Sequence, residues 1–163
     1  MQITPAKPHH LDTILKIYND AILSSVATFD TETKTKESFS KSLQGISDID
    51  YPVSIISKDE TVCGFGLLKP FSERLAYLPT CELSLYLIPI YQGQGMGKLM
   101  MTHLIEEAQK LGLHSIVSRI ESTSEPSIKL HERHGFIHIG TLQQVGFKFD
   151  RWLDVCLYQK LLS

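Results

Sequence analysis

The sequence has little cysteine, and the few cysteines it has do not form a recognisable framework. Cys63, Cys81 and Cys156 are an odd number of residues at wide spacing inside apolar stretches. This pattern argues against a disulfide scaffold or a zinc site and indicates buried, reduced thiols. Because reduced thiols are typical of a reducing compartment, we expect a cytoplasmic protein.

Long apolar runs and an excess of one charge are also missing. No stretch approaches the ~18 apolar residues of a membrane span, and residues 1–10 contain no apolar core of signal-peptide length. The net charge of −2 gives no general attraction to nucleic acid or to anionic membranes. We therefore expect neither as a partner. The 163 residues, 42% hydrophobic and 21% charged, fit a single domain over 1–163.

Apolar periodicity in the first half predicts helices followed by a hairpin. Apolar residues at steps of three and four over 11–22 predict a first helix. A short second helix is expected around 38–43. Two β-prone runs, 51–57 and 61–70, are separated by a charged turn and predict an antiparallel hairpin.

The second half alternates strands and helices. A strand is predicted over 81–89, a helix over 100–111 that Gly112 closes, and a strand over 114–122. A short helix should begin after Ser124 and end at Gly135, with Pro126 in its first turn. Strands over 136–140 and 145–162 complete the chain. This order, without internal repeats, predicts an α/β fold built on one mixed sheet.

The segment "YQGQGMGK", 91–98, places Gly93, Gly95 and Gly97 between a strand and a helix. A nucleotide P-loop would need Gly and Ser or Thr at the positions of Gln92 and Leu99. A dinucleotide fingerprint would need a third glycine at position 98 or 100, where lysine and methionine stand. Both ligand classes are therefore disfavoured.

A tight turn could use such glycines for purely structural reasons. Three glycines in one turn nevertheless cost roughly 1 kcal/mol each in chain entropy, which argues for a further purpose. Uncovered backbone N–H groups at the positive end of a helix indicate a pyrophosphate site, and Lys98 adds a positive charge.

The strand ended by Pro89, followed by Gln92, Gly95, Gly97 and a helix, resembles the acetyl-CoA loop of the GCN5-related N-acetyltransferases (GNAT). Within that superfamily the chain is most similar to the phosphinothricin and methionine sulfone or sulfoximine N-acetyltransferases. Four segments carry the resemblance: 17–30, 73–87, 127–136 and 145–155. It implies an acyl-CoA N-acyltransferase fold with a mostly antiparallel sheet. It also implies acetyl-CoA as donor, no metal, and a small amino-acid-like amine as acceptor.

The resemblance places the cofactor along the fourth strand of the family fold, which splays from the fifth, and on the glycine loop. The implied contacts are the backbone N–H groups of Leu85, Tyr86 and Leu87, the loop residues Gln92, Gly93, Gln94, Gly95, Met96, Gly97 and Lys98, and then Ser124 and His131. The family commonly has Asn at the position of Ser124 and Gly at that of Asp150.

Acetyl transfer to an amine needs a proton acceptor and stabilisation of the departing thiolate. Glu82, on the strand face opposite Leu83 and Leu85, is expected to be the general base, directly or through water. The alternative is a structural carboxylate paired with Arg74 or another cation.

His131 stands where many relatives carry the tyrosine that protonates the thiolate. A neutral imidazole there could donate a hydrogen bond to the sulfur, or the residue could be purely structural. His131 and His134 lack a third metal ligand, which argues against zinc.

The resemblance also nominates residues for the amine substrate. They are Phe29, Ser72, Glu73, Arg74, Tyr77, Glu82, Leu83 and Ser84. The planar guanidinium of Arg74 suits a carboxylate, although an ordinary surface arginine is the alternative.

The run "FKFDRW", 147–152, is aromatic and basic, but Asp150 and Asp154 dilute its charge. Alternation in one final strand predicts that Phe147, Phe149 and Trp152 pack in the core or at an interface rather than against nucleic acid. The family resemblance implies a homodimer near this segment.

Two other functions stay open from the sequence. The enzyme could acetylate a different amine, such as a polyamine, an aminoglycoside or a protein N-terminus. Alternatively, the chain could bind coenzyme A without turnover. The mixed charges of Glu73, Arg74 and Glu82 favour a zwitterion over a polycation.

Overall fold

A computed structural model describes residues 1–163, with seven strands and four α-helices. In chain order they are β1 (Gln2–Pro5), α1 (Leu11–Ser24), α2 (Lys36–Ser47), β2 (Val53–Lys58), β3 (Thr61–Pro70), β4 (Thr80–Leu87), α3 (Met96–Lys110), β5 (Ser115–Glu121), α4 (Glu125–Arg133), β6 (Ile137–Lys148) and β7 (Arg151–Leu161). None of the helices has the length and apolar character needed to cross a membrane.

All seven strands form one sheet in the order β1-β2-β3-β4-β5-β7-β6. Every neighbouring pair is antiparallel except β4 and β5. The predicted mixed, mostly antiparallel sheet flanked by helices is therefore confirmed.

Helices cover both faces of the sheet and so divide the core. On one face α3 contributes Met100, Met101 and Leu104 to a cluster that includes Leu83 of β4. On the other face α1 and α2 pack through residues such as Ile14 and Phe39. Because strand side chains alternate, β4 sends Leu83, Leu85 and Leu87 toward α3 and the residues between them toward α1 and α2.

The strands β4 and β5 separate soon after they meet. Their parallel pairing covers three residue pairs and ends at Glu82–Val117. β4 continues to Leu87 beside β3, and β5 continues to Glu121 beside β7. A wedge-shaped gap therefore opens from Glu82 toward the glycine loop, as the resemblance implies.

In the N-terminal half the sequence analysis missed one strand and predicted one helix too short. The short edge strand β1 was not predicted, because four residues are too few to show a period. The second helix is longer than predicted and begins at Lys36, after Thr35. The Thr35 hydroxyl accepts a hydrogen bond from the Ser38 N–H at 3.2 Å, which satisfies one of the free donors of the first turn.

The prediction of a single final strand over 145–162 was wrong. Phe149 and Asp150 have φ angles of 54° and 56° and form a two-residue turn between β6 and β7. Asp150 thus occupies a left-handed position that glycine adopts more easily. The turn places Phe147 opposite Trp152, and the side chains of Phe147, Phe149 and Trp152 are at least half exposed. Of the two packing alternatives predicted for them, the core of this chain is therefore excluded, and an interface stays a prediction.

Candidate active site

The open edge of β4 presents backbone donors toward the gap. The Ile88 N–H bonds to the Cys63 carbonyl of β3 at 2.9 Å. Because backbone groups alternate sides along an antiparallel strand, Tyr86 also faces β3, whereas Leu85 and Leu87 face the gap. Of the three backbone N–H groups predicted to bind the cofactor, those of Leu85 and Leu87 therefore face the gap, and that of Tyr86 does not.

The glycine loop leaves its backbone uncovered. Gly93 and Gly95 have φ angles of 74° and 85°, and a Cβ atom built at either position meets nothing within 4 Å. The first intrahelical bond of α3 runs from the Leu99 N–H to the Gly95 carbonyl at 3.1 Å. The N–H groups of 96–98 therefore have no helical partner. This arrangement of donors fits a diphosphate.

The other predicted cofactor residues of this loop support its shape. Gln92 donates from its side chain to the Leu87 carbonyl at 3.4 Å, and Gln94 donates to the Ile90 carbonyl at 3.0 Å. The Met96 side chain is fully buried in the core and fixes the start of α3, while Lys98 is exposed. The loop thus combines side-chain supports with free backbone donors.

The carboxylate of Glu82 lies at the closed end of the gap, on the face of α1 and α2. Its residue is 7% exposed. Oε2 lies 3.3 Å from Lys69 Nζ, and Oε1 lies 2.8 Å from Arg119 Nη2. The Arg119 contact is an ion pair whose geometry does not make a hydrogen bond, so Oε1 has no hydrogen-bond partner. Both oxygens of this buried carboxylate are thus ion-paired, and Oε1 keeps an unused hydrogen-bond acceptor position.

Lys69 and Arg119 are site residues that the sequence analysis missed, and Arg74 is not the cation that pairs with Glu82. A signal was present in β5, where Arg119 interrupts the apolar run "SIVSRI" at a position alternating with Val117. The sequence could not show that Arg119 pairs with Glu82, because β4 and β5 become neighbours only through the crossover that contains α3.

His131 is a buried, neutral histidine with one free nitrogen. Its Nδ1 lies 2.8 Å from the Ser127 carbonyl, which can only accept, so Nδ1 carries the hydrogen. Burial lowers the pKa of His131, which favours the neutral ring. Nε2 is then an acceptor, and it has no partner. Donation from Nε2 of this neutral ring to a sulfur, one of the two roles expected for it, does not fit the tautomer that the Ser127 carbonyl favours.

The surroundings of His131 contain no metal site. His134 directs Nδ1 to the Leu130 carbonyl at 2.8 Å, and no group of three or more His, Cys, Asp or Glu side chains is placed to hold a metal. The His131 ring instead packs edge-on against Phe136 at 4.9 Å between centroids and lies 6.4 Å from the ring of Tyr158.

Ser124 lies at the start of α4 but its side chain does not cap the helix. Its hydroxyl donates to Oε2 of the buried Glu121 at 3.4 Å. The same oxygen accepts from the N–H and the hydroxyl of Thr123, at 3.0 and 2.5 Å. Ser124 is thus part of a turn that one carboxylate organises at the wide end of the gap.

The predicted substrate residues come from three separate segments. Ser72, Glu73, Arg74 and Tyr77 lie in the β3–β4 connection, where the Arg74 N–H bonds to the Ser72 hydroxyl at 3.3 Å and Tyr77 packs edge-on against Phe71 at 5.4 Å. Phe29 follows α1. Leu83 is 6% exposed in the α3-side cluster, so only its backbone could reach a substrate beside Glu82.

A cavity of about 340 Å³ lies between α1, α2 and the sheet, next to the strand segment that carries Glu82. Lys69 and Ser84 line it from the sheet, and Lys34 and Asp30 line it from the helix side. Tyr86, which also lines it, is half-buried, and desolvation raises its pKa to about 12, so its phenol stays protonated. The predicted residues 72–77 do not line this cavity.

Lys148 connects the β6–β7 hairpin to the segment that carries Phe29. It is 5% exposed, and its ammonium group donates to the carbonyls of Ser25 and Thr28, each at 2.8 Å. Burial lowers the pKa of Lys148, and the nearby Asp30 opposes that shift. The lysine was not predicted as part of the site, because nothing local in the sequence shows a contact across more than a hundred residues.

Cys81 is the nearest sulfur in sequence to Glu82 but lies on the opposite face of β4. It is fully buried in the α3-side cluster, and burial raises the pKa of its thiol to about 12. A protonated, inaccessible thiol is a poor nucleophile.

Comparison with known proteins agrees with this geometry. The model of the "Acetyltransferase (GNAT) domain" matches residues 3–157. An L-methionine sulfoximine/L-methionine sulfone acetyltransferase of Salmonella typhimurium is 33% identical over 92% of this chain and 88% of the relative.

Two solved structures are also similar. A phosphinothricin acetyltransferase from Sinorhizobium meliloti in complex with acetyl-CoA has a TM-score of 0.96 and 29% identity, over 99% of this chain and 88% of the other. A ribosomal-protein-alanine N-acetyltransferase from Brucella melitensis has a TM-score of 0.97 and 33% identity, over 99% and 100%. The splayed strands, the glycine loop and these matches together show that the chain belongs to the GNAT family and is an acetyl-CoA-dependent N-acetyltransferase.

Proposed function

We propose that this enzyme transfers the acetyl group directly to the α-amine of a small amino-acid-like compound, with Glu82 as the proton acceptor. The observation that carries the proposal is the position of Glu82. Its carboxylate, with one oxygen free of hydrogen bonds, lies at the closed end of the gap whose other end is the glycine loop.

The coenzyme follows the gap in this account. Its diphosphate accepts hydrogen bonds from the free N–H groups at the start of α3, and its arm runs beside Leu85 and Leu87. Five residue steps from Leu87 back to Glu82 span about 17 Å at about 3.3 Å per residue. The arm thereby delivers the thioester to the closed end of the gap, on the level of Glu82.

Glu82 acts there as general base. The amine attacks the thioester carbonyl, the new C–N bond forms as the C–S bond breaks, and the amine proton passes to the Glu82 carboxylate, directly or through water. Lys69 and Arg119 hold the carboxylate in place through their ion pairs. Such a positioned base typically contributes 10²–10⁴-fold to a rate.

Direct transfer is favoured over an acetyl-enzyme intermediate by the state of the cysteines. All three are buried, and Cys81, the one adjacent to Glu82, has a raised pKa and faces away from it. The chain therefore offers no activated thiol at this site.

The carboxylate of the substrate has a candidate partner in Arg74. Its side chain is exposed and is not the cation that Glu82 uses, so its planar fork is free to bind two oxygens. The resemblance to the acetyltransferases of phosphinothricin and methionine sulfone supports the same substrate class.

A protein N-terminus is the second candidate acceptor, favoured by the similarity to the ribosomal-protein-alanine N-acetyltransferase. The two acceptors differ in charge, because a free amino acid carries an α-carboxylate beside its amine and a peptide N-terminus does not.

Release of free coenzyme A thiol, measured with acetyl-CoA and a panel of amines, tests the proposal. The panel comprises phosphinothricin, methionine sulfone, an alanine-initiated peptide and spermidine. Turnover with either of the first two, abolished when their carboxylate is amidated, supports it. Turnover with the peptide or spermidine alone refutes the substrate class.

We also infer a homodimer formed through the β6–β7 hairpin. Phe147 and Trp152 pack against each other at 5.0 Å, yet Trp152 is 62% exposed. Exposed clusters of large aromatic side chains are typical of interfaces. Light scattering should give the dimer mass for the native chain and the monomer mass for Trp152→Glu. A native monomer at assay concentrations refutes the inference.

A further inference from the structure

We propose that the hydroxyl of Ser118 hydrogen-bonds the sulfur of the coenzyme and stabilises the thiolate that leaves. This inference rests on the proposed path of acetyl-CoA through the gap. It adds a residue on the face of the sheet opposite Glu82.

Ser118 is placed at the closed end of the gap. The last parallel pair between β4 and β5 is Glu82–Val117, so Ser118 is the first residue of β5 without a partner in β4. Its neighbours in alternation, Ile116 and Ile120, belong to the α3-side cluster. The Ser118 side chain therefore points to that side, whereas Glu82 points to the other.

The Ser118 hydroxyl is buried without a hydrogen-bond partner. The residue is 2% exposed, and its Oγ is one of three buried side-chain polar atoms of the chain that have none. Leaving a hydroxyl unsatisfied in a protein interior is costly, and natural structures rarely do so without a reason.

Two of the three unsatisfied atoms, Ser118 Oγ and His131 Nε2, lie on the α3 side of the sheet, and the third is on the other face. That third atom is Glu82 Oε1, at the end of the β4–β5 pairing. Ser118 is paired in register with Tyr158 of β7, and the ring of His131 lies 6.4 Å from that of Tyr158. Ser118 and His131 thus both lie beside Tyr158 on the same face of the sheet. They do not hydrogen-bond each other.

The two groups have complementary capacities. The hydroxyl of Ser118 can donate, and Nε2 of the neutral His131 can accept. A bound molecule that carries an acceptor and a donor in this layer would satisfy both. The arm of coenzyme A ends in a sulfur, and amide N–H groups lie along it, so its sulfur suits Ser118 and an N–H group suits His131.

Acetyl transfer makes the contact with Ser118 stronger. When the C–S bond breaks, its electron pair stays on the sulfur as a thiolate, and the amine proton goes to Glu82. The Ser118 hydroxyl keeps its own proton and donates a hydrogen bond to the charged sulfur. Hydrogen bonds to ionised acceptors are roughly twice as strong as neutral ones.

The matched control is Ser115 on the same strand. It is also buried, but its hydroxyl accepts a hydrogen bond from the Gln159 side chain at 3.0 Å. In the free protein, Ser118→Ala should leave the unfolding midpoint unchanged or raise it, because it removes an unsatisfied group. Ser115→Ala should lower the midpoint, because it leaves the Gln159 side-chain amide without its hydrogen-bond acceptor.

Titration calorimetry with coenzyme A and with desulfo-coenzyme A, which lacks the sulfur, then tests the contact. We expect the wild type and Ser115→Ala to prefer coenzyme A by about 5- to 10-fold, the size of one hydrogen bond. Ser118→Ala should lose that preference and about tenfold in kcat.

Equal preference in all three proteins overturns the role of Ser118 while leaving the coenzyme site intact. The role of Ser118 is also overturned if Ser118→Ala lowers the unfolding midpoint as much as Ser115→Ala does and keeps the wild-type preference for coenzyme A over desulfo-coenzyme A. If the wild type binds neither compound, the proposed path of the coenzyme fails instead.

Discussion

The ring of Phe29 packs directly on the backbone of Gly146, so closely that a Cβ atom at position 146 would lie 2.5 Å from the ring. Two residues further along β6, Lys148 binds the carbonyls of Ser25 and Thr28. The segment after α1 is therefore fixed to the β6–β7 hairpin by one close contact and one buried ammonium group. This places a proposed substrate residue under the control of a distant strand.

Substituting Gly146 should move Phe29. Gly146→Ala introduces an overlap that typically costs about 1–3 kcal/mol, so we expect a lower unfolding midpoint and about a tenfold higher KM for the amine with an unchanged Kd for coenzyme A. Gly140→Ala, in the same strand, meets nothing within 4 Å and should behave as wild type. Indistinguishable kinetics for the two variants would remove Phe29 from the substrate site.

Lys98 should contribute to coenzyme binding through its charge. We expect Lys98→Ala to raise the Kd of coenzyme A about 5-fold at low salt, with a smaller difference at about 0.5 M salt, because salt screens exposed charges. Lys110→Ala, at the opposite end of α3, is the control and should leave the Kd unchanged. Equal effects of both substitutions would mean that the lysine acts only through net charge.

Cys81 should be dispensable for chemistry. Since burial raises its pKa to about 12, we expect Cys81→Ala to retain kcat within about twofold while losing roughly 1 kcal/mol of stability from the cavity. Initial rates with both substrates varied should give intersecting lines, as direct transfer requires. Parallel lines, or capture of an acetylated enzyme by mass spectrometry, would contradict direct transfer.

His131 should make stability depend on pH. Its folded-state pKa is lowered, so below about pH 6.5 the unfolded chain binds a proton that the folded chain does not. The free energy of unfolding should therefore fall as the pH drops from about 7 to about 5. Urea unfolding at both pH values should show a smaller fall for His131→Gln. The same fall in both proteins would argue against a buried neutral ring.

Local patterns predicted the parts of the fold that local physics determines. The apolar stripes indicated α1 and α3, alternation placed Glu82 opposite Leu83, and glycines that need left-handed φ angles marked the loop before α3. Gly112 and Gly135 end their helices with φ angles of 71° and 82°, as expected.

Contacts between distant segments could not be predicted in this way. Arg119 reaches Glu82 only because β5 becomes the parallel neighbour of β4, and Lys148 reaches Ser25 across the whole domain. The β6–β7 turn was missed because Phe149 and Asp150 adopt left-handed conformations, and neither is a glycine, the residue that usually indicates such a turn. The tautomer of His131 is set by the Ser127 carbonyl, which no sequence pattern reveals.

The most direct test of the account is the rate of acetyl transfer by Glu82→Gln. The substituted amide would keep the shape of the side chain but could not accept the amine proton. With phosphinothricin or methionine sulfone as acceptor, we predict a loss of about 10²-fold or more in kcat/KM. Calorimetry should give an unchanged Kd for coenzyme A, and circular dichroism an intact fold. A near-normal rate in this folded, coenzyme-binding variant would contradict the assignment of Glu82 as the base.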